Sequence, residues 1–278
     1  MDIDWSRVAE PQPDQYDTEV VLARLRQREG FTRPQSLGDT PTIFDGAVEV
    51  RPLEGTYLKY LNGGFSSGPL EDKRICLAEG YVRQWPTVFQ QFKSLIYAFY
   101  PLRDLSGARI RPGSKGYISN SYESHIGTLC ASIEDPLGTA EAFVHEMAHN
   151  KLRALGIMFE STQGFITNDP EDRYLSPIRI GVLRPMTAVF HAEYSFIYVT
   201  QLYLTLLAAD PGEETRKYLL SLLKTLVPHM QAGFEVIEAN IQVDSIGRPF
   251  VDGFMDWARR VLADGRALLD RERIALAS

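Results

Sequence analysis

The stretch that most restricts this chain is Phe143-Val144-His145-Glu146-Met147-Ala148-His149-Asn150-Lys151-Leu152. It sets a His-Glu-x-x-His motif in apolar surroundings: Ala142, Phe143 and Val144 precede it, and Leu152, Leu155 and Ile157 follow. That pattern predicts a helix buried over most of its surface. Helical positions four apart lie one turn apart on the same face, so His145 and His149 can direct both imidazoles at one ion. Glu146, beside the first ligand, can reach the open side of that ion. Two histidines and a glutamate in an apolar helix are costly unless something satisfies them, and a metal ion does so. The competing reading is a chance match in a long helix.

The rest of the chain bounds the setting. Its 278 residues suffice for one large domain or two small ones. The expected division is an N-terminal helical region, 1–110, packing on a catalytic region, 111–278, within one compact domain. A net charge of −7 argues against a nucleic-acid or anionic-membrane surface. Cys76 and Cys130 are too few for a disulfide framework and fit a reducing cytosol. The start, Met1-Asp2-Ile3-Asp4-Trp5, is acidic and lacks an apolar core, so no secretory signal is expected. The apolar run at 196–208 is shorter than a membrane span and is interrupted by Thr200, Gln201 and Thr205. A cytoplasmic protein is therefore expected. The oligomeric state is unknown from sequence.

In chain order, a helix is expected from Asp17 or Thr18 to about Glu29, and a short strand at 48–51. A helix over 78–99 should break or restart at Pro86, with Phe89, Phe92, Leu95, Ile96 and Phe99 as a core stripe. Residues 101–116, with Arg103, Arg109, Arg111 and Lys115, read as a solvated loop. A strand at 126–133 ends at Asp135-Pro136, and Asp135 or Thr139 can cap the motif helix. As an edge strand it could pair its backbone with an extended peptide. Helices follow at 180–207, or from Pro185 as its first-turn residue, at 213–226, at 228–241 carrying His229, and at 249–269. The last buries Phe250, Phe254, Trp257, Val261 and Leu268. The fold class is mostly α (α+β): a helical zincin-like domain with a few short strands, one of them an edge strand preceding the metal-binding helix.

Two histidines rarely hold a metal alone. His191 is the first choice for a third ligand, on a helix able to fold back against the motif helix; the alternative is an ordinary core histidine. Glu193 lies about 200° around that helix from His191, so both cannot ligate from one regular helix. Arg184 stands two turns before His191 and would share its face. A buried arginine there needs an anion, either a structural partner or the carboxylate of a cosubstrate.

These residues carry a resemblance. The run Ser119 to Gly127, then Ala131-Ser132, Asp135-Pro136-Leu137, Ala140-Glu141 and His145 to Leu152 resembles the HExxH-motif peptide-modification family. So do Leu175-Ser176-Pro177-Ile178-Arg179, Arg184-Pro185-Met186 and His191-Ala192-Glu193-Tyr194-Ser195-Phe196. The likeness covers about residues 110–205, and the flanks only in helix order. It implies an iron(II)- and 2-oxoglutarate-dependent β-hydroxylase (a dioxygenase) acting on a ribosomally made precursor peptide in natural-product biosynthesis. It implies His145, His149 and His191 as iron ligands, and Arg184, with Arg179 in reserve, for the 2-oxoglutarate carboxylate.

Two chemistries share the motif. Bound to iron(II), three protein ligands leave open positions of the kind oxygenases use, and Glu146 steadies the centre from behind. Bound to zinc, one water remains and Glu146 takes its proton, which makes a metallopeptidase. On the motif alone zinc is the commoner reading; the resemblance turns it towards iron. A third reading is a non-catalytic protein that binds the precursor peptide, against which the intact set of His145, Glu146, His149 and His191 speaks.

Overall fold

A computed structural model of the chain describes residues 3–27, 38–106, 117–159, 165–176, 178 and 181–275. In order these form α1 (Trp5–Ala9), α2 (Tyr16–Gln27), β1 (Thr42–Ile43), β2 (Val48–Val50), α3 (Lys59–Asn62) and β3 (Phe65–Ser67). There follow α4 (Lys73–Arg83), α5 (Pro86–Leu95), β4 (Ala98–Asp104), β5 (Ser119–Asn120), β6 (Thr128–Ser132) and α6 (Pro136–Ala154). The chain ends with β7 (Tyr174–Leu175), β8 (Leu183–Arg184), α7 (Met186–Ala208), α8 (Glu213–Asn240) and α9 (Gly247–Ala275). The class is mostly α, with a small mixed sheet, as expected. No described helix is long and apolar enough to cross a membrane. Internal contacts divide the chain into two units, Val21–Ala154 and Met1–Val20 with Leu155–Ser278, so the motif helix α6 closes the first unit.

In the unit Val21–Ala154 the strands run in the order β1-β2-β4-β6-β5, with β3 also on β4. Strand β4 is parallel to β2 and β6, pairing Ala98 with Thr128 and Leu102 with Ser132. It is buried along almost its whole length. A strand covered on both faces reads as an unbroken apolar run, and this one follows directly on the apolar stripe of α5. That continuity is why Ile96 and Phe99 were expected on a helix. In fact α5 ends at Leu95, Ile96 is extended, and residues 101–104 continue the strand instead of opening a loop.

The strand preceding the motif helix is not an edge strand. Strand β6 lies between β4 and β5. Its outer side pairs antiparallel with β5, Ser119 with Ala131 and Asn120 with Cys130. Among the described residues β5 ends the sheet on this side; at two residues it is too short to register as a strand in sequence.

Aromatic packing seats α6 on this sheet. Phe143, just before the motif, meets Phe99 edge-on at 4.9 Å between ring centroids and Phe44 at 5.5 Å. Phe44 in turn stacks on Phe92 at 4.1 Å. The helix start is fixed by Asp135, whose Oδ1 accepts from Leu137 N at 3.2 Å, and by Thr139, whose hydroxyl donates to the Ser132 carbonyl at 2.9 Å. The start of β6 is fixed from the far end of the motif. Gly127 has a φ of +90°, and a Cβ there would sit 2.7 Å from the Tyr97 ring. Its N–H donates to Asn150 Oδ1 at 2.7 Å.

In the other unit, α7 is buried along most of its length. Tyr194, Phe250, Phe254 and Trp257 cluster between α7 and α9. Tyr194 also donates to the Ala9 carbonyl at 2.6 Å. Helix α1 crosses α9 at Gly253, where a Cβ would stand 2.3 Å from the Ser6 carbonyl oxygen. The helices expected at 213–226 and 228–241 are one, α8, with Pro228 inside it. Proline in a helix interior costs about 3 kcal/mol. The buried stripe Leu219, Leu223, Val227, Met230, Phe234 and Ile237 continues unbroken past it. Each such side chain contributes about 1.5–3 kcal/mol on burial, so packing outweighs the local penalty and His229 lies mid-helix.

Candidate metal centre

Helix α6 is buried at every position beyond Pro136 except one, and the exception is His145. The apolar residues of the motif region pack into the unit, and the His145 side chain keeps 13% of its exposure. His149, one turn on, brings its Nε2 to 3.1 Å from His145 Nε2, with the rings nearly perpendicular at 86°. A metal–nitrogen bond is about 2.1 Å, and two such bonds to one ion with this nitrogen separation open an angle of about 95°. The pair therefore fits as two ligands of one ion, or as a hydrogen-bonded pair of neutral imidazoles. Burial holds the His145 imidazolium below its ordinary range, with Glu146 opposing and Arg153 adding to the effect. A neutral ring is the form that ligates.

Glu146 faces the sheet edge. Ser119 Oγ donates to its Oε1 at 2.6 Å, and Ser121 Oγ donates to its Oε2 at 2.5 Å. Arg153 Nη1 donates to the same Ser121 oxygen at 2.6 Å. Glu146 Oε1 stands 4.0 Å from His145 Nε2. Behind the motif, Asn150 Nδ2 donates to the Glu146 carbonyl at 2.8 Å. Sequence reasoning missed Ser119, Ser121 and Arg153 in these roles. Partial signals were present: Ser119 and Ser121 stand two apart, which puts both on one face of extended backbone, and Arg153 follows Glu146 by two helical turns.

Tyr117 stands at the same corner. Its ring meets the His145 ring edge-on, with centroids 6.2 Å apart. Burial, then the charges of Glu141 and Glu146, push its phenol well above the ordinary value.

The remaining expected residues lie in the other unit. His191 is fully buried on α7, and its Nε2 is 2.8 Å from the Ile157 carbonyl oxygen. A ligand histidine commonly gives its second ring N–H to a carbonyl in this way, which would leave Nδ1 as the ligating nitrogen. Arg184 is not on α7. It lies in β8, pairing with Tyr174, because Pro185 caps α7 from outside and the helix begins at Met186. The helical-face argument linking Arg184 to His191 therefore fails. A different connection replaces it. The Arg184 guanidinium carbon lies 5.6 Å from the centre of the Phe159 ring, and that ring lies 5.4 Å from the His191 ring. Thr187, one turn before His191, holds the Phe159 carbonyl at 2.9 Å. Arg179 lies outside the described residues.

Glu193 is fully buried on α7, and neither carboxylate oxygen has a hydrogen-bond partner among the described residues. Burial alone pushes its carboxyl well above the ordinary range. Among the described residues, no group of three or more His, Cys, Asp and Glu side chains is assembled as a metal-holding set. The structure brings together His145, His149 and Glu146, and separately Arg184, Phe159 and His191. Comparison of the chain with protein-family models gives no match, and comparison with curated proteins gives none.

Proposed function

We propose that the chain is an iron(II)- and 2-oxoglutarate-dependent hydroxylase of a side chain in a ribosomally made precursor peptide. His145 and His149 would hold the metal. His191 is the proposed third ligand, through Nδ1 if its bond to the Ile157 carbonyl is kept. Iron(II) with 2-oxoglutarate and dioxygen supplies the oxidising power to hydroxylate an unactivated carbon, and that chemistry belongs to the cofactors.

The observation that carries this reading is the double clasp on Glu146. A general base for water in a peptidase needs a proton-accepting oxygen turned to the open side of the metal. Here each oxygen already accepts a short bond from a serine hydroxyl, at 2.6 and 2.5 Å. Charge-assisted bonds of this kind fix both carboxylate oxygens towards Ser119 and Ser121. Arg153, bonded to Ser121, strengthens the second donor. Glu146 then acts as a fixed negative charge that steadies the two histidines. Arg184 would hold the 2-oxoglutarate carboxylate as a cation already oriented by the Phe159 ring.

The peptide would bind along β5. Among the described residues this strand ends the sheet, and Ser119 within it and Ser121 just after it turn their hydroxyls to Glu146, so backbone pairing on β5 would bring an extended chain to the motif. Co-expression with a candidate precursor peptide, followed by intact mass, tests the proposal. An added oxygen atom supports it, and a shortened peptide replaces it with the zinc peptidase.

A further inference from the structure

A further polar side chain, Tyr117, stands beside the clasp on Glu146. Tyr117 stands against the first turn of α6, its Cβ 3.5 Å from where a Cβ on Gly138 would lie. Gly138 and His145 are two turns apart on one face, and the Tyr117 ring reaches the His145 ring edge-on, with an interplanar angle of 71°. The ring thus lies along α6 towards the motif. Its hydroxyl is shielded from solvent and has no hydrogen-bond partner among the described residues. Buried hydroxyls normally keep a partner. Glu146, a carboxylate at this corner, accepts from the two serines and not from Tyr117. A phenol, with an ordinary pKa of about 10, is a donor at neutral pH.

We infer that the Tyr117 hydroxyl donates a hydrogen bond to an oxygen of the small carboxylate or peptide carbonyl that binds at the His145–His149 centre. This rests on reading that pair as a metal site. No proton is transferred; the tyrosine orients and polarises the bound oxygen.

The test uses the full chain loaded with cobalt(II), whose visible band reports the centre, in the wild type, Tyr117→Phe and Tyr122→Phe. The Tyr122 hydroxyl is also buried and without a hydrogen-bond partner among the described residues, but its ring packs against Tyr57, so it serves as the control. Each protein is titrated with cobalt, then with 2-oxoglutarate and with acetohydroxamate, and its melting temperature is recorded. Tyr117→Phe is expected to take up cobalt as the wild type does and to melt no lower. It is expected to bind at least one probe about 5- to 10-fold more weakly, the value of one hydrogen bond. Tyr122→Phe should match the wild type throughout. Weakening of 2-oxoglutarate alone assigns the hydroxyl to the cosubstrate, and weakening of acetohydroxamate alone assigns it to a substrate carbonyl. Unchanged affinity for both probes with normal cobalt uptake overturns the role of Tyr117 and leaves the metal reading standing. Lower melting with weaker cobalt uptake also overturns it, by showing a structural role. A wild-type protein that takes up no cobalt overturns the metal reading beneath it.

Discussion

Ser121 Oγ lies 2.5 Å from Glu146 Oε2 and accepts a bond from Arg153 Nη1 at 2.6 Å. One serine hydroxyl thus joins a buried carboxylate to a buried guanidinium. Both charged side chains are at least nine-tenths removed from solvent, where a lost bond to a charged group costs about 1.5–3 kcal/mol. Ser121→Ala should therefore lower the unfolding free energy by about 1.5–3 kcal/mol, measured in urea with an unchanged slope. A loss under about 0.5 kcal/mol, the level of an ordinary surface substitution, would mean that the link contributes little.

If His191 is the third ligand, His191→Ala should abolish iron retention as fully as His145→Ala. The check is metal content after desalting, with circular dichroism to show that each variant is folded. Retention by His191→Ala together with loss by Glu193→Ala would move the assignment to the carboxylate.

Arg184 is the cation proposed for 2-oxoglutarate. Arg184→Ala should raise the 2-oxoglutarate concentration needed for half-maximal turnover by about tenfold or more, the scale of one charge-assisted contact, with metal content unchanged. An unchanged requirement would return the role to Arg179.

The buried carboxyl of Glu193 predicts a pH signature. Its folded pKa is raised above the ordinary value of 4.5 by burial. Between the unfolded and folded values the native state binds more protons than the unfolded state, so stability falls as pH rises through that window. Glu193→Gln removes the group. Unfolding free energies measured from pH 4 to pH 8 should decline with pH more steeply in the wild type than in the variant. Parallel curves would show that Glu193 is charged and satisfied in the folded protein.

The parts of the fold that repeat a simple period were legible in sequence. The motif helix and its Asp135 cap, the breaks flanking Pro86, and the buried face of Phe250, Phe254, Trp257 and Val261 all follow from local pattern. The parts decided by tertiary packing were not. Phe99 continues the apolar spacing of α5, yet it lies in the central strand, because a fully covered strand has no alternation to betray it. Pro228 looks like a boundary, but the stripe from Leu219 to Ile237 carries α8 through it. In the candidate site, His145 and His149 were readable because a helix fixes their spacing. The bonds of Ser119 and Ser121 to Glu146 join a strand to a helix well over twenty residues away in sequence, and only the folded chain brings them together. Arg184 shows the opposite error: a face was assigned to a helix that starts after it.

The central claim is that His145 and His149 hold iron(II) together with 2-oxoglutarate. Purified protein, stripped of metal and kept without oxygen, should develop a visible charge-transfer band when ferrous iron and 2-oxoglutarate are both added, and not with either alone. Absence of the band with iron bound, together with peptide cleavage restored by zinc, would contradict the account.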